Sequence, residues 1–339
     1  MNKLEQIIAD KGFALADGAI GTNLFAKGLM TGDAPELWNV DEVAKVTELH
    51  QEFVDAGSDI ILTNSFGGTH YRMKLHQSEG RVDELNKAAA AIARAVADKA
   101  ESTVIVGGSI GPTGELFEPL GALDEAGAIA AFTAQAQALA DGGADILWIE
   151  TMSSVEEMHA AVTAAKTTGL PVYGTMTFDT AGRTMMGIQP AAFAAQASAL
   201  GMAGFGANCG IGPSELLDTV FGFAEADGHT QQIIAKGNCG IPAYVEGKIH
   251  YHGTPELMAD YALAALRAGA RIIGGCCGTT AEHIKAMRGA LDKYTDDKYT
   301  DIEPISRQEA AIILGEPWAN VPQAPAQGEG RKRRRKRDR

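Results

Sequence analysis

The sequence predicts a single-domain (β/α)8 barrel, the TIM-barrel architecture of the α/β class. Short apolar runs that end in Gly, Asn, Ser or Asp alternate with alanine-rich stretches of helical length. The apolar runs are continuous, which is typical of parallel strands that are buried on both faces. Eight such units in about 290 residues fit a closed barrel better than an open doubly wound sheet.

The predicted elements alternate along the body of the chain. Each strand is an apolar run bounded by turn residues, and each helix is an alanine-rich stretch between two such runs. Strands are expected at residues 13–17, 59–63, 104–109, 145–150, 172–178, 204–208, 232–236 and 271–276. Helices are expected at residues 43–56, 81–100, 126–141, 155–167, 190–200, 213–226, 255–268 and 280–291.

One local design is repeated where a helix passes into the next strand. In residues 55–60, 141–146 and 267–272 a glycine follows the helix, and an apolar strand begins at once. Glycine accepts the left-handed backbone that ends many helices, so these segments mark helix-to-strand junctions. Residues 17–22 do not match the G-x-G-x-x-G fingerprint, which argues against a dinucleotide-binding fold.

The barrel is expected to occupy residues 1–292, followed by a C-terminal extension at residues 293–339. Residues 331–339 hold eight of the 29 basic residues and one of the 43 acidic ones, so the rest of the chain carries a net charge of −21. An acidic body argues against nucleic acid as a partner. The basic tail could dock on an acidic surface, but a disordered, solvated extension is the simpler interpretation.

The composition favours a globular protein with a large core, since 45% of the residues are hydrophobic and 21% are charged. No apolar run approaches the roughly 18 residues of a membrane span. The first residues show no signal-peptide pattern, so a cytoplasmic location is expected. Four cysteines in 339 residues do not form a disulfide framework, and a reducing compartment would keep them available for metal.

Two adjacent cysteines, Cys276 and Cys277, stand among glycines at the end of the last predicted strand. Neighbouring side chains on a strand point to opposite faces, so such a pair rarely serves packing, whereas glycines let both sulfurs turn toward one ion. Cys209 ends the sixth predicted strand, and one strand separates it from the eighth. Three thiolates with one open position are typical of a catalytic zinc site.

This zinc site would suit a thiol substrate. Zinc with three thiolates carries a net charge of −1, and a substrate thiol in the fourth position would lose its proton at neutral pH while remaining nucleophilic. Asn238, at the end of the seventh strand, could fill the fourth position when substrate is absent, or it could be a turn asparagine. The alternatives for the cysteines are a redox pair, inert packing and a structural zinc site closed by Cys239. Cys239 is otherwise expected to be structural.

Polar residues gather at the carboxyl ends of the predicted strands, where such barrels carry their sites. Asp17 and Glu150 end apolar strands and need a cation or hydrogen-bond donors there, which suits the ammonium group of a substrate. The turn at residues 18–22 offers backbone N–H groups to a carboxylate. Together these groups would bind a zwitterionic amino acid. The candidate substrate-binding residues are Asp17, Gly18, Ala19, Asn64, Ser109 and Glu150.

Six short motifs follow one another at these strand ends. They are Asp17-Gly-Ala-Ile-Gly-Thr22, Thr63-Asn-Ser-Phe-Gly67, Gly108-Ser-Ile-Gly-Pro-Thr113, Ile149-Glu-Thr151, Asn208-Cys-Gly210 and Gly274-Gly-Cys-Cys-Gly-Thr279. In these motifs, over roughly residues 10–292, the chain resembles the homocysteine S-methyltransferase family. The resemblance implies a (β/α)8 barrel with zinc on Cys209, Cys276 and Cys277. It also implies that homocysteine binds zinc through sulfur, with Asp17 and Glu150 near its ammonium group, and that methionine is formed.

The methyl donor distinguishes members of this family, which use methylcobalamin, betaine or S-methylmethionine. Betaine enzymes surround the quaternary ammonium with aromatic rings, but Thr151 stands where they have tyrosine. The segment after Asn64 is closer to the cobalamin-dependent methionine synthases. The chain has no cobalamin module and no D-x-H-x-x-G motif, so methylcobalamin is expected to arrive on a separate corrinoid protein.

Three other functions stay open at this point. One is a homocysteine methyltransferase that uses betaine or S-methylmethionine. Another is methylation of a different thiol or selenol, such as selenocysteine. The third belongs to a different class, a zinc-binding interaction protein that has kept the barrel without turnover.

Overall fold

A computed structural model of the chain describes residues 1–245, 248–295 and 302–317. Its strands are β1 (Ala14–Leu15), β2 (Ile60–Leu62), β3 (Ile105–Ile110), β4 (Ile146–Met152), β5 (Val172–Met176), β6 (Gly204–Cys209), β7 (Gln232–Gly237), β8 (Pro242–Val245), β9 (Lys248–Tyr251) and β10 (Ile272–Gly275). Its α-helices are α1 (Lys3–Lys11), α2 (Gly21–Ala26), α3 (Trp38–Asp41), α4 (Val43–Asp55), α5 (His70–Lys74), α6 (Val82–Ala97), α7 (Glu125–Asp141), α8 (Val155–Lys166), α9 (Pro190–Ala199), α10 (Pro213–Ala224), α11 (Pro255–Arg267), α12 (Ala281–Thr295) and α13 (Arg307–Leu314). Short 3₁₀ turns lie at Pro35–Leu37 and Glu79–Arg81.

Eight of these strands form one parallel sheet in the order β1-β10-β7-β6-β5-β4-β3-β2. The two ends of the sheet meet through a parallel bridge between Ala16 and Ile60, where the Asp17 N–H donates to the Ile60 carbonyl at 3.0 Å. This closure confirms the predicted (β/α)8 barrel. All eight predicted strands and all eight predicted helices are present, with ends shifted by a few residues.

The hairpin β8–β9 was not predicted. It pairs antiparallel and interrupts the connection between β7 and α11. Helix α1 was also not predicted, although its start carries a capping box in which Asn2 and Glu5 exchange hydrogen bonds at 2.8 Å. Both elements are additions to the eight-unit repeat, so the repeat itself could not reveal them.

Helix α1 fills the amino-terminal end of the barrel. Leu4, Ile7 and Ile8 pack with inward-facing strand residues that include Trp148 and Tyr173, whose rings stack 6.3 Å apart. Lys3 pairs with Asp145, the residue before β4, at 3.0 Å. The lower end of the barrel is therefore a packed core, and the opposite end is left for a site.

The predicted domain boundary at residue 292 falls inside α12, which continues to Thr295. Beyond it, α13 packs on the barrel through buried Ala310. Arg307 of this helix forms ion pairs with Asp218 and with Glu225, the latter at 2.9 Å. The first part of the extension is thus attached to the barrel. The basic tail at residues 331–339 lies outside the described residues, so its disorder stays a prediction.

None of the helices in the described ranges is both long enough and apolar enough to cross a membrane. The longest of them, α7, is an alanine-rich helix that packs on β3 and β4.

A buried histidine of the core gives a stability prediction. His50 on α4 is fully buried, neither ring nitrogen has a partner among the described residues, and burial lowers its pKa to about 4. Unfolded histidine has a pKa of about 6.5, so the unfolded chain binds the extra proton first and stability falls as the pH drops from about 6.5 toward 4. Between pH 7.5 and pH 5, the native protein should lose about 2 kcal/mol more than the His50→Leu variant.

Urea unfolding at the two pH values measures this difference. His252→Gln, a change at an exposed position, is the matched control and should follow the native protein. An equal pH dependence in the native protein and His50→Leu would contradict the assignment.

A candidate metal centre at the barrel mouth

A cavity of about 500 Å³ opens at the carboxyl ends of the strands. Five of the six candidate substrate-binding residues line it, and Asp17 does not. The predicted zinc ligands Cys209, Cys276 and Cys277 also line it, together with Lys236, which was not predicted as a site residue. This volume lies within the range of small-molecule sites.

The three cysteines meet at one side of the cavity. Cys209 is the last residue of β6, and Cys276 and Cys277 follow β10 directly. Strand β7 lies between them, since Gly237 pairs with Cys209 and its carbonyl accepts the Cys276 N–H at 2.7 Å. The three Sγ atoms lie within 4.8 Å of one another, and those of Cys209 and Cys277 are 3.9 Å apart.

The donor set fits zinc. Tetrahedral zinc with Zn–S bonds of about 2.3 Å places two sulfurs about 3.8 Å apart. The pKa of Cys276 lies well above its usual value, because its hydrogen bond to Cys209 and its burial favour the neutral thiol over the opposing contribution of Cys277. A divalent cation among the sulfurs would reverse this preference, since it stabilises thiolates directly.

Unusual backbone conformations turn the sulfurs toward one another. Cys209 has φ +64°, in the left-handed region that side chains other than glycine rarely occupy. Gly278 has φ +82°, and a Cβ there would lie 2.3 Å from the ring of Tyr251. The loop after β10 therefore requires glycine at this position for two independent reasons.

Asn238 connects the two cysteine loops. Its Oδ1 accepts the Cys277 N–H at 3.0 Å, and its Nδ2 donates to the Gly210 carbonyl at 2.6 Å. In this arrangement the side chain positions the loops that carry Cys209 and Cys277. The expectation that its oxygen fills the fourth metal position stays a prediction.

Cys239 is outside the sulfur group. Its Sγ lies 3.2 Å from His283 Nε2 and 3.2 Å from the Gly253 carbonyl oxygen, under the segment that follows β9. The one group with metal-ligand spacing in the described part of the chain contains the other three cysteines. A four-cysteine structural site is therefore not the arrangement that the fold provides.

In the sequence motifs Asn208 is only the residue before Cys209, whereas the structure gives it a larger role. It is fully buried, its Oδ1 accepts from the Thr151 N–H at 2.9 Å and from Thr175 Oγ1 at 2.7 Å, and its Nδ2 donates to Thr151 Oγ1 at 2.8 Å. These bonds hold Thr151 at φ +65°. Asn208 Nδ2 also lies 3.8 Å from Cys276 Sγ. A polar residue directly before a cysteine in an otherwise apolar strand is the sequence signal that could have indicated this role.

Asp17 does not face the cavity, because its carboxylate is occupied within the barrel. Its Oδ1 accepts from Lys236 Nζ at 2.7 Å, and its Oδ2 accepts from the Leu62 N–H at 2.7 Å. Burial alone would lower the pKa of Lys236, but the charges of Asp17 and Glu150 outweigh it and raise that pKa, so the lysine is cationic. A lysine at the end of the apolar run 232–236 is the sequence signal that could have indicated a cation at this strand end.

Glu150 does face the cavity, as predicted for an ammonium-binding residue. Ser109 Oγ donates to its Oε1 at 2.5 Å, and its Oε2 has no donor among the described residues. Burial raises the pKa of Glu150, and the charge of Lys236 opposes this rise. A buried carboxylate with one free oxygen favours binding of a cation.

The remaining predicted residues line the cavity with their polar groups partly occupied. Asn64 Nδ2 donates to the Pro35 carbonyl at 2.7 Å and to Asn39 Oδ1 at 3.0 Å. The Ala19 N–H donates to the Thr279 carbonyl at 3.1 Å. The turn at residues 18–22 therefore offers fewer free N–H groups than its sequence suggested.

A family model described as homocysteine S-methyltransferase matches residues 14–291 of the chain. The chain belongs to this family. The match spans the whole barrel, so the expected resemblance to the homocysteine S-methyltransferase family is confirmed.

Two methionine synthases are similar to this chain in sequence. The methionine synthase of Mycobacterium tuberculosis (strain ATCC 25618 / H37Rv) is 29% identical over 332 residues, which cover 89% of this chain and 27% of that protein. The methionine synthase of Mycobacterium leprae (strain TN) is 28% identical over 93% of this chain and 27% of that protein. The chain thus spans about a quarter of the length of these relatives.

Two solved structures of the Escherichia coli homocysteine methyltransferase MmuM share the fold. The oxidized form has a TM-score of 0.72 at 22% identity, and the metallated form has a TM-score of 0.70 at 23% identity. Both comparisons cover 85% of this chain and 99% of the other. The likeness supports the barrel architecture described above.

Proposed function

We propose that this protein is a zinc-dependent homocysteine S-methyltransferase that forms methionine. Zinc would be held by Cys209, Cys276 and Cys277. The observation that carries the proposal is the placement of three Sγ atoms within 4.8 Å of one another on the wall of a cavity that also contains Glu150. A thiol-activating group and a carboxylate for an ammonium group then face the same space.

The bound zinc would act as a Lewis acid that lowers the pKa of the substrate thiol to near neutrality. The chain's own residues hold and orient the reactants. Glu150 Oε2 would receive the ammonium group of homocysteine, and Asn208 fixes the loop at Thr151 beside the sulfurs. The homocysteine sulfur attacks the donor methyl carbon, and the new C–S bond forms as the bond between methyl and donor breaks.

We propose methylcobalamin on a separate corrinoid protein as the donor. The mouth of the barrel supports a protein donor because exposed apolar side chains lie on the loops that follow the strands. They are Leu116, Leu120, Met185, Met186 and Ile241. Exposed apolar side chains grouped at one end of a protein favour a docking surface.

The cavity offers little for betaine. Two aromatic residues that a cation–π cage could use, Trp38 and Tyr71, do not line it. Trp38 lies instead under Lys45 Nζ at 4.4 Å, and the Tyr71 ring lies 3.9 Å from that of His70. The aromatic rings that do line the cavity among the described residues are those of Phe25, Phe66 and His76.

A donor assay tests both parts of the proposal. Zinc-loaded protein with homocysteine should form methionine faster with methylcobalamin, free or on a corrinoid protein, than with betaine or S-methylmethionine. Faster turnover with betaine or S-methylmethionine would overturn the donor assignment. Fully zinc-loaded protein that methylates neither homocysteine nor selenocysteine with any of these donors would favour the interaction-protein alternative.

A further inference from the structure

Two of the buried ionisable side chains on the cavity wall, Lys236 and Glu150, carry opposite charges. Lys236 and Glu150 are 1% and 9% exposed, and both line the cavity beside the cysteines. No ion pair joins them within 4.0 Å, although each charge influences the pKa of the other. The space between the two side chains is thus flanked by opposite charges.

Lys236 has one donor to spare. An ammonium group carries three N–H donors, and two of those on Nζ are used by Asp17, at 2.7 Å to Oδ1 and 3.1 Å to the carbonyl oxygen. The third has no acceptor among the described residues. The Nζ also lies 5.9 Å from the centre of the Trp148 ring, so the charged end is held from below by Asp17 and Trp148.

Glu150 has one acceptor to spare. Its Oε1 is taken by Ser109, whereas its Oε2 is open among the described residues. When all three groups are ionised, Asp17, Lys236 and Glu150 carry a net charge of −1, and of the two carboxylates it is Glu150 that has no contact with Lys236. A buried unpaired carboxylate is costly, so a ligand that supplies an ammonium group gains most there.

We propose that Lys236 binds the α-carboxylate of the substrate while Glu150 binds its α-ammonium group, so that the two residues select thiols that are zwitterionic amino acids. This inference rests on the proposed function, because the substrate's sulfur end is placed by the cysteine group. It replaces the expectation that Asp17 contacts the ammonium group directly. It also gives the substrate carboxylate a side-chain partner, Lys236, in addition to the backbone N–H groups of the turn at residues 18–22. Asp17 becomes a positioning residue that orients Lys236.

Binding of two thiols to zinc-loaded protein tests the proposal without turnover. Homocysteine and 3-mercaptopropylamine share the thiol and the amine, and only homocysteine has the carboxylate. In Lys236→Met the dissociation constant of homocysteine should rise at least about tenfold, while that of 3-mercaptopropylamine changes less than about threefold. Lys45→Met removes a lysine on α4 outside the cavity and is the matched control, which should leave both constants unchanged.

Removing Lys236 alone leaves Asp17 buried without its cation, so the single variant could fail to fold. The double variant Asp17→Asn/Lys236→Met removes both charges of the pair and should keep the thermal unfolding temperature and the zinc content close to those of the native protein. It should show the same selective loss of homocysteine binding.

The outcomes separate this inference from the proposed function. An equal loss for both thiols in the double variant, or no loss for either, would overturn the role of Lys236 while leaving the methyltransferase proposal intact. If neither homocysteine nor 3-mercaptopropylamine bound to the native, zinc-loaded protein, the proposed thiol site itself would be overturned.

Discussion

Replacing Cys277 with alanine is expected to abolish zinc binding and methionine formation together. The remaining sulfurs of Cys209 and Cys276 provide two ligands, whereas catalytic zinc sites are held by three. The variant also loses the atom that lies 3.9 Å from Cys209 Sγ, although its backbone N–H can still bond to Asn238. Zinc content measured by metal analysis should fall from about one ion per chain to near zero, and turnover should fall below detection.

Cys239→Ala is the matched control for this variant. Cys239 lies on the neighbouring loop after β7, where its N–H donates to the Cys277 carbonyl at 2.9 Å, but its sulfur contacts His283 and the Gly253 carbonyl and not the sulfur group. It should keep one zinc per chain. A Cys277→Ala protein that retains zinc and activity, or a Cys239→Ala protein that loses zinc, would contradict the assignment of the three ligands.

Replacing Glu150 with glutamine is expected to raise the KM for homocysteine about 30-fold or more, with a smaller change in kcat. The proposed ammonium contact would exist both before and during methyl transfer, so its loss would weaken binding of the ground state and of the transition state alike. Loss of one partner of a buried charged contact costs about 2–5 kcal/mol, which corresponds to the expected change in KM. Glutamine keeps the shape of the side chain and can still accept the hydrogen bond from Ser109, so the native protein and the variant differ mainly in the charge at this position.

The pH dependence of KM provides a second readout for Glu150. Burial raises its pKa, with Lys236 opposing, and only the ionised form binds an ammonium group. In the native protein the KM for homocysteine should therefore rise as the pH falls through this raised pKa, and the rise should be absent in Glu150→Gln. A thiol that lacks the ammonium group, such as 4-mercaptobutyrate, should bind the variant at least as tightly as the native protein, because it leaves the Glu150 carboxylate unpaired. If Glu150→Gln weakened the binding of 4-mercaptobutyrate as much as that of homocysteine, Glu150 would act on the structure of the cavity and not on the ammonium group.

The barrel could be predicted because its signals are local. Continuous apolar runs recur along the chain, as does a glycine at several helix-to-strand junctions, and each of these signals reports a neighbouring helix or strand. The cysteine site was predictable for a related reason. Residues at the carboxyl ends of parallel strands are brought to one rim by the topology alone, so Cys209 and Cys276 could be placed together although they are 67 residues apart.

The pairing inside the rim could not be predicted in the same way. Asp17 and Lys236 are 219 residues apart, and nothing in their separate surroundings shows that they are partners. Their ion pair decides which carboxylate is free for a substrate, and it turns Asp17 from a ligand-binding candidate into a support. The hydrogen bonds of Asn238 and Asn208 depend likewise on loop conformations with positive φ, which the residue types at Cys209 and Thr151 do not suggest.

The packing of Leu4, Ile7 and Ile8 under the barrel has a consequence for the order of events in the proposed reaction. With the lower end filled, homocysteine, the methyl donor and methionine all have to pass through the same opening. In the proposed complex homocysteine would bind at the deeper position, against Glu150 and the sulfurs, so it would have to enter before a bulky donor covers the mouth. Methionine would leave only after the spent donor has withdrawn. A barrel closed at one end would thus impose a fixed order of substrate binding and product release.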